Sequence, residues 1–215
     1  KGYFVLDVTT LSAFAESEAT NLVKFDRTRS TESGSAPDCT QTGLTNGQKS
    51  ACEKAVAEDN DIGHITAHPV TDTNNSMRAA QITRMNNNRW AVVLGNGYNS
   101  TNQRPVLLVQ YLDGDKKLLR LPVTAEAAGT GNANDNGLAA PRLVALDGDG
   151  RSDVVYAGDN LGNMWKFDLT NADSANWKVA FGGSPLFTAS GPAALGATTR
   201  PKVQPISTAP TVRAN

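Results

Sequence analysis

At 215 residues, 39% hydrophobic and 19% charged with a formal net charge of -1, the chain has the composition of a globular protein able to bury a core. Its balanced charge and lack of any Lys or Arg block exclude a basic face for nucleic acid or anionic lipid. No apolar run approaches the roughly 20 residues that cross a bilayer, so no membrane span is expected.

In chain order, Lys1 to Val8 reads as a strand, with neither an initiator Met nor a signal peptide. The expectation is a chain that begins inside a longer, exported polypeptide. A second strand is expected at Leu22 to Phe25. Residues 26–76 then form a polar insertion rich in Ser, Thr, Asn and Asp. Gln48 to Glu58 is expected to be helical there, with Ala51, Cys52, Ala55 and Val56 on one face. The two cysteines, Cys39 and Cys52, are spaced to close a small loop by a disulfide, which fits an oxidising compartment; two unpaired thiols are the alternative. His64 and His68 lack the further ligands that a zinc site requires. Asn74 and Asn99 sit in N-x-[ST] sequons.

From residue 78 the pattern repeats. Arg78 to Met85 resembles Ala139 to Leu146, and both resemble Thr208 to Val212. Matching second strands follow at Trp90 to Gly95 and Asp153 to Gly158, third strands at Val106 to Leu112 and Asn163 to Leu169, and fourth strands at Leu118 to Pro122 and Trp177 to Phe181. Two units of four short antiparallel strands predict an all-β chain built of β-propeller blades. Phe4 to Val8 parallels Trp165 to Leu169 position for position, so the opening strands are expected to be the outer half of an earlier blade. Half a blade, two whole blades and one further opening strand leave the ring incomplete, and the remainder is expected outside this chain. Thr124 to Asn136 reads as a flexible connection, Gly95 to Asn99 as a glycine-rich turn, and Asp113-Gly114-Asp115 as a tight turn. Trp90, Trp165 and Trp177 are expected to fill the space between blades.

The strongest chemical signal is Leu146-Asp147-Gly148-Asp149-Gly150-Arg151-Ser152-Asp153. Alternate carboxylates on a Gly-bent loop supply the oxygens that calcium requires. If Gly150 takes the sharp turn at position 6 of such a loop, then Asp147, Asp149 and Asp153 fall at 3, 5 and 9, and Arg151 offers its carbonyl at 7. Position 1 is Ala145, which has no side-chain oxygen, and position 12 is Tyr156 in place of a bidentate Glu. Weak binding is the expectation, and a metal-free Asp/Gly turn is the alternative.

Gly2 to Thr9, Trp90 to Ser100, Leu146 to Asp153, Tyr156 to Leu169 and the Pro205 to Pro210 segment together resemble the C-terminal propeller of the PilC/PilY family of type IV pilus biogenesis factors and tip-associated adhesins. The resemblance implies a modified propeller of about seven blades when complete, of which residues 1–215 supply two to three plus the insertion. It also implies a non-enzymatic protein exported to the bacterial surface, at the pilus tip or outer membrane. There it would support pilus extension, twitching motility and attachment to surfaces or host cells, with minor pilins and the rest of its own polypeptide as partners. Carried over, the calcium ligands are Asp147, Asp149, Asp153 and the Arg151 carbonyl, with Ala145 departing from the family's usual Asp. Two alternatives stay open: another secreted calcium-binding adhesion propeller, and a quinoprotein-dehydrogenase-like enzyme, because Gly162 to Asp168 also resembles the repeats of those propellers. Against the enzyme, the sequence offers no vicinal cysteines and no grouping of His, Glu and Asp.

Overall fold

The computed structural model describes residues 1–10, 12, 14–28, 38–72, 80–123, 136–191 and 204–213. The chain opens with a hairpin of β1 (Gly2–Leu6) and β2 (Val23–Thr28), the latter entered through the short helix α1 (Ala19–Leu22). The long helix α2 (Asn46–Asp61) follows. The first four-stranded unit is β3 (Ile82–Met85), β4 (Trp90–Gly95), β5 (Val106–Tyr111) and β6 (Leu118–Pro122). The second contains β7 (Arg142–Val144), β8 (Arg151–Ser152), β9 (Val154–Gly158), β10 (Asn163–Asp168), β11 (Lys178–Val179) and β12 (Phe187–Thr188). Strands 3 to 6 form an antiparallel meander, as do β7, β9, β10 and β11, so both predicted blades are present.

Strand alternation sends side chains of the first blade into two cores. Ala91, Val93, Leu107, Val109 and Tyr111 pack with Val155, Ala157, Trp165, Phe167 and Trp177 of the second blade. The opposite face sends Val106, Leu108 and Leu118 against Tyr3 and Ile62. Strand β5 is therefore buried along all six residues, which explains its almost unbroken apolar sequence. The exception, Gln110, accepts a 2.9 Å hydrogen bond from the Tyr3 hydroxyl and donates to the Lys116 carbonyl.

The hairpin matches the outer half of a blade in detail. Asp7 accepts from the backbone and hydroxyl of Thr9 at 3.0 and 2.6 Å, and Asp168 accepts from those of Thr170 at 3.1 and 2.7 Å. These bonds hold both carboxyls below their usual range, Asp7 at about 2. The same turn thus closes the third strand of both units.

Connections between blades cross the second strands at glycine. A Cβ at Gly95 would lie 1.9 Å from the Ala139 carbonyl, and one at Gly158 would lie 2.3 Å from Ile206. The residue after each glycine is polar and fully buried. Asn96 donates to the carbonyls of Asp61 and Arg104 and accepts from the N–H groups of Val106 and Leu138. Asp159 accepts from the N–H groups of Leu161 and Asn163, the side-chain amides of Asn136 and Asn163, and the Trp165 indole.

Several expectations change. Strand β2 runs on to Thr28 instead of ending at Phe25, because Arg27 pairs with Glu58 and Asp59 and holds the chain in the hairpin. Cys39 and Cys52 are disulfide-bonded, with 5.7 Å between their Cα atoms. The helix extends past both predicted ends. Thr45 and Gln48 form a capping box at its start, and its buried residues are Glu58 and Asp61, not the apolar face of Ala51, Cys52, Ala55 and Val56. Residues 124–135 and Asn74 lie outside the described residues, whereas Asn136 is buried against Asp159. Trp165 and Trp177 are core residues, but Trp90 is 47% exposed, on the β4 face shared with Val92 and Leu94. Thr208 to Val212 forms no strand. In the second blade the ladder begins only after Pro141, and the corresponding Thr211 to Arg213 has no partner strand among the described residues. The segment is instead held by Ile206 N–H on the Asp159 carbonyl and by Arg142 on the Pro210 carbonyl.

Asp61 fastens the insertion to the first blade. Fully buried, it accepts from Asn102 at 2.7 Å, from Arg104 at 2.8 and 3.0 Å, and from Arg120 at 2.7 Å. Burial works to raise its pKa, but the hydrogen bonds from Arg104 and Asn102 and the charges of Arg104 and Arg120 outweigh it and hold the carboxyl below the usual range. A depressed folded pKa adds stability that is complete above the unfolded value of about 3.9 and is lost as pH falls through the lower folded value. Docking of α2 should therefore stay constant from neutral pH down to about pH 4 and fail only in stronger acid. Asp61→Asn should lower stability by about 2–4 kcal/mol at neutral pH, because two half-buried guanidinium groups lose the fully buried carboxylate they share. Denaturant titration across the pH range checks both statements.

Candidate functional site

The Asp-rich loop joins β7 to β9 and lies at the junction of the two blades. Gly148 and Gly150 have φ of 77° and 81°, a conformation that favours glycine, and they turn the chain back on itself. Two successive Asx turns shape the tip. The N–H of Asp149 donates to Asp147 Oδ1 at 3.0 Å, and that of Arg151 to Asp149 Oδ1 at 2.8 Å. Both carboxylates are solvent-exposed, with the Arg151 guanidinium 3.5 Å from Asp149 Oδ2.

Asp153 belongs to the neck of the loop. It is buried, its Oδ2 accepts from the Leu146 N–H at 2.6 Å, and its Oδ1 accepts from the Asn86 amide at 3.0 Å. The same Asn86 nitrogen reaches the carbonyls of Ser152 and Leu169 at 3.2 and 2.9 Å. Beside it, β8 pairs in parallel with β3, Arg84 opposite Arg151 and Met85 opposite Ser152, and the hydroxyls of Ser152 and Thr83 are 3.2 Å apart. The loop is thus clasped to the first strand of the preceding blade.

Of the four predicted ligands, Asp147 and Asp149 share the tip, Arg151 is in the clasp and Asp153 is in the neck. Among the described residues no three His, Cys, Asp or Glu side chains gather as a metal cluster. The donor chemistry, carboxylate oxygens on an open loop with space around both glycines, suits a hard cation. The arrangement does not yet surround one, because Asp153 spends both oxygens inside the neck. Sequence reading missed Asn86, whose only signal is its place just after a first strand. Asp113 and Asp115 form the expected turn and clamp Arg89, whose guanidinium carbon lies 3.8 Å from the Tyr111 ring centroid.

Asn86→Ala should free one oxygen of Asp153 and loosen the clasp without unfolding the blades. The expected result is faster amide hydrogen exchange confined to residues 145–153 and Leu169, with β4, β5, β9 and β10 unchanged. Exchange accelerated across both blades would show that Asn86 supports the whole interface.

The family model for the PilY1 beta-propeller domain matches residues 50–214. The type IV pilus biogenesis factor PilY1 of Pseudomonas aeruginosa strain PAO1 is 37% identical over 124 residues, covering 50% of this chain and 10% of that protein. A PilY1 homolog of Xylella fastidiosa strain Temecula1 is 32% identical over 144 residues, covering 63% of this chain and 10% of its own length. The crystal structure of the P. aeruginosa PilY1 C-terminal domain superposes with a TM-score of 0.53 at 31% identity, covering 73% of this chain and 31% of that one. The chain spans about a tenth of the length of these curated relatives. With two blades of matching order and a family match over most of its length, the chain belongs to the PilY1 β-propeller domain family.

Proposed function

We propose that this chain is part of the propeller of a type IV pilus biogenesis factor and works by binding, as a surface-exposed scaffold and not as an enzyme. The observation that carries the reading is the family match over residues 50–214 to a propeller whose relatives are named as pilus biogenesis factors. The buried polar groups agree with it. Asp61, Asn96 and Asp159 are all occupied in holding blades and insertion together, as structural residues are. On this reading the protein is exported to the cell surface, at the pilus tip or outer membrane, acts with minor pilins, and supports pilus extension, twitching motility and attachment to surfaces or host cells.

The Asp loop is the proposed point of calcium control. Asp147 and Asp149 would supply carboxylate oxygens and Arg151 its carbonyl, with Asp153 joining when it releases a neck hydrogen bond. That extra cost and the missing first ligand at Ala145 place the expected Kd in the weak range of extracellular modules, about 10⁻⁴ to 10⁻³ M. Calorimetric titration of calcium into the full-length polypeptide tests this. The double variant Asp147→Asn/Asp149→Asn keeps acceptors for the loop turns but removes two charges, and should abolish the heat of binding. Ala145→Asp should tighten it. If the double variant binds as the parent does, the loop is a structural turn.

The pilus reading has its own test. In cells, Asn96→Ala in the full-length protein leaves the buried N–H groups of Val106 and Leu138 without their acceptor, a loss of about 1–3 kcal/mol for each, and should reduce surface pili. The double loop variant should keep pili and lose only their dependence on calcium. Normal piliation despite a propeller shown by proteolysis to be unfolded would overturn the pilus role.

A further inference from the structure

The tripeptide Asp-Gly-Asp occurs twice in the chain, and its two copies are neutralised differently. In each copy the glycine has a positive φ, 56° at Gly114 and 77° at Gly148. At Asp113-Gly114-Asp115 a single guanidinium closes the turn. Arg89 Nε lies 2.8 Å from Asp113 Oδ1, and its Nη2 lies 2.8 Å from Asp115 Oδ1. Lys116 and Lys117 follow directly, so that turn carries no excess of negative charge. At Asp147-Gly148-Asp149 the cation is Arg151, and it is held more loosely. Its Nη1 stands 3.5 Å from Asp149 Oδ2, both side chains are 35% exposed, and among the described residues no cation pairs with Asp147. Arg84 stands opposite Arg151 across the parallel pair of β3 and β8. Like charges facing each other across strands repel, which leaves Asp149 as the favourable direction for the Arg151 side chain.

We propose that Arg151 is a tethered cation that occupies Asp149 in the metal-free protein and must leave before Asp149 can serve a divalent cation, so that this side chain holds the affinity of the Asp loop down. The inference rests on the calcium reading above and names what regulates that site. Arg151 then has two opposed parts, a carbonyl that offers an oxygen to the cation and a guanidinium that competes with it for Asp149. An exposed pair of this length is weak and opens readily. The two close contacts of Arg89, by contrast, keep Asp113 and Asp115 engaged with a cation of the chain's own. One chain thus holds both forms of the tripeptide: a turn whose carboxylates are fully neutralised, and a tip whose two carboxylates and one loosely placed guanidinium leave a net negative charge to attract a divalent ion.

The test is calorimetric titration of calcium into the full-length polypeptide and into two variants that keep the backbone carbonyl at residue 151, with limited proteolysis of the metal-free forms to verify that each retains the parent's fold. Arg151→Gln removes the charge and should lower the Kd about 3- to 10-fold, the effect of a unit charge a few ångströms from a divalent ion in screened solvent. Arg151→Lys keeps a cation beside Asp149 and should bind within about twofold of the parent. An unchanged or higher Kd in Arg151→Gln while the parent binds would overturn the proposal and leave the calcium reading standing. Equal tightening in both variants would also overturn it, because the charge would then not be what holds the affinity down. Absence of binding heat in the parent and in both variants would remove the calcium reading and this inference with it.

Discussion

Close passage of one blade's leading segment over the second strand of its neighbour is the constraint on which this architecture depends. The passage is so tight that only glycine fits at residues 95 and 158, where an added Cβ would strike Ala139 or Ile206. Such proximity buries backbone groups that no sheet ladder serves, and each must still find a partner. Asn96 and Asp159, each following its glycine, supply them. Asn96 uses both ends of its amide, donating to two carbonyls and accepting from two N–H groups. Asp159 has acceptors only, and is surrounded by five neutral donors. One repeat position thus meets the same need with two chemistries, according to what crosses it.

The insertion is tied to this frame electrostatically. Helix α2 is polar on most of its surface, and its apolar residues gain little burial. Its last turn places Asp61 between Arg104 and Arg120, while Glu58 and Asp59 receive Arg27 from the hairpin. An acidic residue at a helix C-terminus is disfavoured by the helix dipole, so the two guanidinium groups offset both that term and the desolvation of a fully buried carboxylate. Asn96 also donates to the Asp61 carbonyl, which joins the helix end to the blade crossing. The disulfide from Cys52, near the middle of α2, ties the preceding loop to the helix, so the helix is fixed by a covalent link and by ion pairs with little hydrophobic contact.

What the sequence made legible was the periodic part. Strand positions repeat at similar spacing in both blades, and five of the eight predicted blade strands coincide with the observed ones to within a residue at each end, because alternation and closing glycines are local signals. The half blade was legible for the same reason, through the position-for-position match of Phe4 to Val8 with Trp165 to Leu169. The docking mode of α2 was not legible. A helical wheel reports apolar faces, whereas the helix is fixed by ion pairs to Arg27, Arg104 and Arg120, residues 31 to 59 positions away from their partners. Trp90 escaped for a related reason, since burial between blades depends on which face of β4 is covered. The repeated Gly-Asn and Gly-Asp pairs at 95–96 and 158–159 were visible signals of a crossing, though as a turn motif they point elsewhere.

The Asp loop divides its residues between two tasks that the linear spacing merges into one. Asp153 and Asn86 close the neck and join it to the preceding blade, together with the parallel pairing of β8 and β3. Asp147 and Asp149 order only the exposed tip. A ligand at the tip alone would meet two carboxylates and leave the blade junction untouched. A ligand that also recruits Asp153 must draw it from the Leu146 N–H or the Asn86 amide, and Asn86 is the residue that spans both blades. A binding event that draws the third carboxylate from the Asn86 amide is therefore linked, through that side chain, to the interface between blades. The strength of that linkage is bounded by the one or two hydrogen bonds exchanged, about 0.5–1.5 kcal/mol for each neutral bond and up to about 3 for a charged one.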